Sequence, residues 1–180
     1  MPNSEQKLVI HGPIACFDVD YRDTVGRCAC LTFDAFSDPT PSDQLVVDVP
    51  GVADYQSGEF FRRELPVVLA VLAKLPTRPR LIVVDGYVWL AAGTSRPGFG
   101  AYLYNALGCE VPVIGVAKNS FAGAPAAEVL RGSSRRPLYV TSAGISIEQA
   151  VQSIRDMHGK FRLPTLLKQV DRLSRDGIPT

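Results

Sequence analysis

A change of pattern near residue 55 is the feature that most constrains how this chain can fold. Before it, three short segments have strand character, at 14–21, 27–36 and 44–49, with short connections between them. Such a run predicts an antiparallel meander, because tight turns join only antiparallel strands. After it, helical patterns alternate with short apolar runs typical of parallel strands covered on both faces. We therefore predict an α/β fold: a mixed sheet with an antiparallel three-strand meander followed by parallel strands, flanked by helices.

The second part of the chain contains four predicted helices and three predicted strands. The helices are expected at 60–75, 98–108, 146–157 and 165–175, and the strands at 80–86, 111–118 and 137–144. Residues 119–136 are the least regular and are predicted to form a mobile loop. Residues 1–12 form an N-terminal lead. Because the sequence contains no repeat or linker, we expect residues 1–180 to form a single domain.

The composition is that of an ordinary globular protein, with 46% hydrophobic and 21% charged residues and a formal net charge of +1. A nucleic-acid partner would thus need a local basic patch. The four cysteines show no Cys-x-x-Cys spacing and no signal peptide precedes them, which predicts reduced thiols in a cytoplasmic protein. No run approaches the ~20 apolar residues of a membrane span, so no membrane association is predicted.

Three acidic residues lie in segments where a charge is unexpected. Asp18 lies within the strand-like segment ACFDVDYRD, and Asp85 ends the apolar run RLIVVD. Pro66 predicts that Glu64 lies at or near a helix N-terminus, since proline is tolerated best in the first turn. A charge in such places is costly unless it is paired or coordinated.

Two interpretations of these acids remain open on the residues alone. Mg²⁺ prefers carboxylate oxygens, so three converging acids suit a metal-dependent cleavage of phosphodiester bonds. Alternatively, Asp85 simply belongs to a strand-ending turn and Glu64 is favoured by the helix dipole. Asp18 would then accept hydrogen bonds from backbone amides or an arginine.

Five segments resemble the motifs of the endonuclease V family in their order and spacing. They are FDVDY, RRELP, VVDG, PVIGVAK and HGKFRLP, spread from about residue 14 to about residue 165. The resemblance implies a ribonuclease H-like fold and a Mg²⁺-dependent endonuclease, with Mn²⁺ as an alternative metal. It further implies cleavage near a deaminated base, chiefly hypoxanthine (inosine), in DNA or RNA.

The resemblance also implies roles for individual residues. Asp18 and Asp85 match the family's metal-binding aspartates, and Glu64 matches its acidic partner. Lys118 matches the lysine that ends the Gly-Val-Ala-Lys motif near the scissile phosphate. These four residues are thus the expected catalytic set, and the three acids are the expected metal ligands.

Nucleic-acid contacts are implied at five further positions. Tyr55 and Gly58 are what remains of the family's strand-separating wedge. The backbone near Gly58 and Gly86 would let a base that has left the stack approach closely. Lys160 and Arg162 either hold backbone phosphates or are solvated surface charges.

The chain departs from the family pattern in four places. Family members carry Asp-Gly-His-Gly where residues 85–88 are DGYV, and Gly-His-Arg where residues 142–144 are SAG. The wedge Pro-Tyr-Ile-Pro-Gly becomes DYQSG at 54–58, and a His-Pro pair becomes SR at 95–96. A histidine that supports the metal site is therefore missing. Asp20, where the family commonly has no acid, either compensates for it or is a solvated strand-end residue.

These departures support two rival functions beside the nuclease. One is an endonuclease V-like protein that binds nucleic acid after losing catalysis. The other is a nuclease with a different modified base or an RNA substrate. A monomer is expected in either case.

Overall fold

The computed structural model describes residues 12–52, 54, 56–57, 59–94 and 96–178. Tyr55 and Gly58, two of the predicted nucleic-acid contacts, lie outside the described residues, as does most of the N-terminal lead. Within the described residues, no helix is both long and apolar enough to cross a membrane.

Seven strands and four α-helices make up the described fold. The strands are β1 (Ile14–Arg22), β2 (Val25–Phe33), β3 (Asp43–Pro50), β4 (Leu81–Asp85), β5 (Val113–Ala117), β6 (Ala127–Val129) and β7 (Leu138–Ala143). The helices are α1 (Phe60–Leu72), α2 (Phe99–Ala106), α3 (Ile147–Asp156) and α4 (Thr165–Asp176), with a short 3₁₀ turn at Ala92–Thr94. All seven strands form one sheet in the order β3-β2-β1-β4-β5-β7-β6.

The predicted meander and the first parallel strands are confirmed. β1, β2 and β3 pair antiparallel, through a tight turn between β1 and β2 and a longer loop at 34–42, while β4 pairs parallel with β1, and β5 parallel with β4. β7 runs antiparallel to β5, because the chain first forms β6 and returns from it as a hairpin. β6 lies within the segment 119–136 for which the sequence predicts a mobile loop; three residues are too short to show a strand periodicity.

The sheet separates two hydrophobic cores. On one face, β1, β4 and β5 pack against α3 and α4, with Cys16, Val83 and Ile114 among the buried residues. On the other face, Ala15 and Phe17 pack in the same layer as the buried side of α1 and α2. Alternate residues of β1 therefore point to opposite cores, which places the Asp18 side chain on the α3 and α4 face.

Helix α1 differs from the prediction in one respect. It begins at Phe60 as expected, but Pro66 lies in its interior and Glu64 in its second turn, not at its N-terminus. Proline removes one backbone donor to the preceding turn. The helix persists because Val67, Val68 and Val71 are buried against the sheet, and this packing compensates for the missing hydrogen bond.

Candidate metal centre

The two aspartates predicted as metal ligands lie side by side at one edge of the sheet. Phe17 of β1 pairs with Val84 of β4 in parallel register, so the next residues, Asp18 and Asp85, are neighbours across the two strands. Each follows a residue of the opposite core and therefore points toward α4. Parallel pairing thus brings together two carboxylates that are 67 positions apart in the sequence.

Helix α4 adds a third carboxylate that the sequence analysis did not identify. One carboxylate oxygen from each of Asp18, Asp85 and Asp171 lies within 4.8 Å of the other two. Asp171 sits between Val170 and Leu173, two of the residues through which α4 packs on the sheet. In the sequence, its position beside the apolar stripe of α4 was the feature that could have indicated this acid. We infer that these three acids, and not Asp20, form the core of a candidate metal site.

Lys118, which directly follows β5, lies beside the carboxylates. Its Nζ donates a hydrogen bond to Asp85 Oδ2 at 2.8 Å and lies 3.5 Å from Asp171 Oδ1. Burial by itself would lower the pKa of Lys118, but the bond to Asp85 and the charge of Asp171 outweigh it, so the pKa lies above its ordinary value. Lys118 is therefore a permanent positive charge beside three carboxylates.

Asp18 is partly buried in the middle of β1. Burial raises its pKa, the hydroxyl of Ser174 opposes this by donating a hydrogen bond to Asp18 Oδ2, and the charges of Asp85 and Asp171 raise it further. Ser174 is fully buried on α4, one turn after Asp171. The same helix thus supplies one acid of the group and holds another in place.

A small pocket between the sheet and α4 contains the group. Four charged side chains and six apolar side chains line it. Its lining consists of Phe17, Asp18, Val84, Asp85, Val116, Lys118, Leu163, Leu167, Val170 and Asp171. A low-dielectric wall beside charged groups strengthens their interaction with a bound ion or phosphate.

Glu64 lies near this group without belonging to it. It is half-buried on α1, and burial raises its pKa to about 8, with the charges of Asp18 and Asp85 adding to the effect. Its role as a metal ligand stays a prediction. Burial and the two neighbouring aspartates therefore both favour the protonated form of Glu64 in the metal-free protein.

We expect Glu64→Gln to stabilise the metal-free protein at high pH. Because the folded protein binds this proton with a pKa of about 8, against 4.5 for an ordinary glutamate, the free energy of unfolding falls as pH rises between these values. The variant avoids that loss. In EDTA, urea denaturation should give equal stabilities for the two proteins near pH 4, and a Glu64→Gln protein roughly 2–4 kcal/mol more stable than wild type at pH 9.

Glu110→Gln, at an exposed ion pair with Arg78, is the control. If Glu64→Gln is less stable than wild type at pH 9, this origin of the pKa shift is wrong.

Asp20 points to the same side of β1 as Asp18 but has another partner. Arg22 Nε donates to Asp20 Oδ2 at 3.2 Å, and the Asp20 side chain is one-third exposed. Asp171, on a different element, supplies the third carboxylate instead. Asp20 is therefore a strand-end residue in a surface ion pair.

The predicted phosphate contacts Lys160 and Arg162 have different surroundings. Lys160 is exposed, with its Nζ 5.6 Å from the centre of the Phe161 ring. Arg162 turns inward, where its Nη2 donates to the carbonyl oxygens of Lys118 and Pro137. Arg162 thus ties the segment before α4 to the backbone of Lys118.

Gly86, predicted to allow close approach of a base, follows Asp85 with a φ of +120° and has nothing within 4 Å of the place where a Cβ would stand. The next residues turn back across β5. There, a Cβ on Gly115 would lie 2.6 Å from Gly86 O, so only glycine fits at this crossing. Gly86 is therefore favoured by its backbone conformation, and Gly115 by the close approach of another backbone segment.

Two positions where the family pattern has histidines, Tyr87 and Ala143, make structural contacts, and the one at residue 95 lies outside the described residues. Tyr87 donates its hydroxyl to Asn119 O at 2.6 Å, and nearby Trp89 Nε1 donates to Ser142 O at 3.0 Å. Ala143 is buried in the core beside α2. None of these three residues contributes to the carboxylate group.

The sequence and the fold were compared with those of known proteins. The family model described as Endonuclease V matches residues 2–135. A curated Endonuclease V from Rhodospirillum centenum is 33% identical over 88% of this chain and 77% of its own length. One from Azotobacter vinelandii is 32% identical over 91% of this chain and 82% of its own length.

The fold is also similar to that of solved endonuclease V structures. Endonuclease V from Ciona intestinalis, in complex with a DNA containing an inosine, superposes with a TM-score of 0.78 at 19% identity, covering 93% of this chain and 86% of that one. The Streptomyces avermitilis enzyme gives 0.71 at 29% identity over 90% and 79%. The predicted ribonuclease H-like fold is thereby confirmed. With a matching family model over most of its length and relatives above 30% identity, the chain belongs to the endonuclease V family, a family of nucleases.

Proposed function

We propose that this protein is a divalent-metal-dependent endonuclease that hydrolyses a phosphodiester bond near a deaminated base, such as hypoxanthine (inosine), in DNA or RNA. The observation that carries the proposal is the convergence of Asp18, Asp85 and Asp171 beside Lys118 in a member of this family. The inosine-containing DNA bound to the Ciona relative supports the choice of substrate. The cytoplasmic location and monomeric state stay predictions.

The donor set fits a hard divalent cation. Three carboxylates offer only oxygen atoms, and Mg²⁺ binds through one or two carboxylates together with water and phosphate oxygens. Mn²⁺ accepts the same ligands. Asp18, Asp85 and Asp171 would hold the ion, with Glu64 as the nearest additional carboxylate. When bound, the ion supplies Lewis-acid activation of the phosphate and of a water molecule.

The remaining residues of the site orient the carboxylates and neutralise negative charge. The ammonium group of Lys118 already bridges Asp85 and Asp171, and a phosphate at the site would attract it in the same way. A fixed positive charge there stabilises the negative charge that develops on the phosphate oxygens. Ser174 keeps the Asp18 carboxylate in one orientation through its hydrogen bond. The open space at Gly86 leaves room for a base or sugar close to the backbone.

The test is cleavage of a labelled inosine-containing oligonucleotide in Mg²⁺. We expect wild-type protein to nick it and Asp85→Ala to lose about 10²-fold or more of the rate, since a metal ion contributes several kcal/mol to such reactions. Glu128→Ala, an exposed acid on β6, is the matched control. Full activity in the Asp85→Ala protein would refute the assignment of Asp85.

The same assay separates the rival functions. A protein that binds the oligonucleotide but neither cleaves it nor binds Mg²⁺ or Mn²⁺ is the non-catalytic binder. Matched strands carrying inosine, uracil or no lesion, each as DNA and as RNA, identify the substrate. Tyr87, in place of the family histidine, is the reason to include bases other than hypoxanthine.

A further inference from the structure

Beside the candidate metal centre lies an aromatic side chain that the mechanism does not use. Phe161 is 62% exposed, one of the most exposed large apolar side chains among the described residues. Lys160 Nζ lies 5.6 Å and Lys168 Nζ 5.9 Å from the centre of its ring. We call these three residues the Phe161 platform.

The platform is held rigidly although its ring is exposed. The buried guanidinium of Arg131 donates hydrogen bonds to the carbonyl oxygens of Met157, Gly159, Phe161 and Arg162. The backbone N–H of Thr165 donates to His158 O at 2.9 Å and closes the segment before α4. An exposed ring on a fixed backbone has already lost the conformational entropy that binding would otherwise cost.

The platform is connected to the metal centre on both sides. Next to Phe161 in the chain, Arg162 donates to Lys118 O. Lys168 precedes Asp171 by three residues on α4, so the two side chains are neighbours on the helix surface. Leu163 and Leu167, which lie between Phe161 and Lys168 in the sequence, line the pocket of the carboxylates. The platform and the pocket are therefore built on the same segment, 160–171.

The side chains of the platform match a single-stranded nucleic acid better than an acidic peptide. Proteins bind single-stranded nucleic acid by stacking bases on aromatic rings beside cations that contact the backbone. An exposed phenyl ring offers a stacking face without regard to base identity, and two ammonium groups match a phosphate on either side of a nucleotide. An acidic peptide would match the lysines but has no planar group for the ring.

We propose that the Phe161 platform binds the nucleic-acid strand next to the cleavage position, with one base stacked on Phe161 and the adjoining phosphates on Lys160 and Lys168. The proposal rests on the proposed function, because it takes the metal centre to be the place of cleavage. It adds a base-independent contact that holds an unpaired nucleotide beside that centre.

Binding measured without cleavage tests the proposal. The full chain in EDTA is titrated into a fluorescein-labelled single-stranded DNA, and anisotropy is recorded at several salt concentrations. We expect Phe161→Ala to bind about tenfold more weakly, as stacking on an aromatic side chain predicts. Phe161→Trp should bind as tightly as wild type or more tightly, and Phe161→Leu, which keeps the apolar surface, should resemble alanine.

A second probe separates stacking from a structural effect. Against a strand of the same length built from abasic sites, Phe161→Ala should equal wild type, because only phosphates remain. The double variant Lys160→Ala/Lys168→Ala should weaken binding to both strands and reduce the salt slope by about 1.4. Lys74→Ala, an exposed lysine just after α1, the helix on the opposite face of the sheet, is the control and should change nothing.

Two results would refute the proposal that the Phe161 platform binds a nucleic-acid strand. One is unchanged binding of Phe161→Ala to the base-containing strand. The other is an equal loss on the abasic strand, which would assign the effect to backbone structure. Neither measurement depends on cleavage. Full activity of Asp85→Ala would therefore refute the proposed function, whereas the binding measurements would still test the Phe161 platform independently.

Discussion

Asp171→Asn should abolish metal-dependent cleavage as completely as a substitution of Asp85, with a loss of about 10²-fold or more. The amide keeps the shape of the side chain but removes a negative charge from the group of three carboxylates. Lys118 would then pair with Asp85 alone, and Arg175 would lose its ion-pair partner on the same helix. We also expect Mn²⁺ to bind more weakly in isothermal titration.

A matched control is available on the same helix. Asp176→Asn removes an exposed acid that pairs with Arg172 at 3.3 Å, away from the three carboxylates. It should cleave and bind Mn²⁺ like wild type. If Asp171→Asn behaves in the same way as this control, Asp171 is not a ligand, and the metal centre is restricted to β1, β4 and α1.

Arg131→Met should be the most destabilising single substitution among those considered, at about 3 kcal/mol or more. Arg131 is only 7% exposed, and it donates to four backbone carbonyl oxygens of the segment before α4. A buried acceptor without its donor costs about 1–3 kcal/mol, and methionine fills the volume without replacing any donor. For a chain of this length, the melting temperature should fall by roughly 10 °C.

Thermal and urea denaturation measure this effect. Arg135→Met, an exposed arginine four positions later, should leave the stability within about 0.5 kcal/mol of wild type. Equal stability of the two variants would show that solvent replaces the guanidinium at those carbonyls. Because Phe161 and Arg162 lie in the segment that Arg131 fixes, the destabilised variant should also bind single-stranded DNA more weakly.

The local elements of this fold could be predicted well because their signals are local. The alternation of Cys16, Phe17 and Asp18 gave the correct strand and the correct face, and the apolar run ending at Asp85 gave a parallel strand. The meeting of these two aspartates was implied by the family resemblance, whereas the residue pattern alone left it open; the parallel pairing of β1 with β4 places them side by side.

Other features depended on packing between distant elements. β6 is too short for a periodicity, and its hairpin with β7 decides that β7 runs antiparallel to β5. Pro66 would end an isolated helix, but burial of the following valines keeps α1 continuous. Arg162 has the sequence appearance of a surface charge, and only the position of the two carbonyl oxygens turns it inward.

The sequence by itself therefore determined the family, all strand and helix segments except β6, and, through the family resemblance, the pair of aspartates Asp18 and Asp85. The tertiary structure decided the third acid. In an amphipathic helix such as α4, a polar residue beside the apolar stripe faces either solvent or a site, and the helix pattern is the same in both cases. Docking of α4 on the sheet brings Asp171 to Lys118 and Asp85, whereas Asp20 pairs locally with Arg22 on β1.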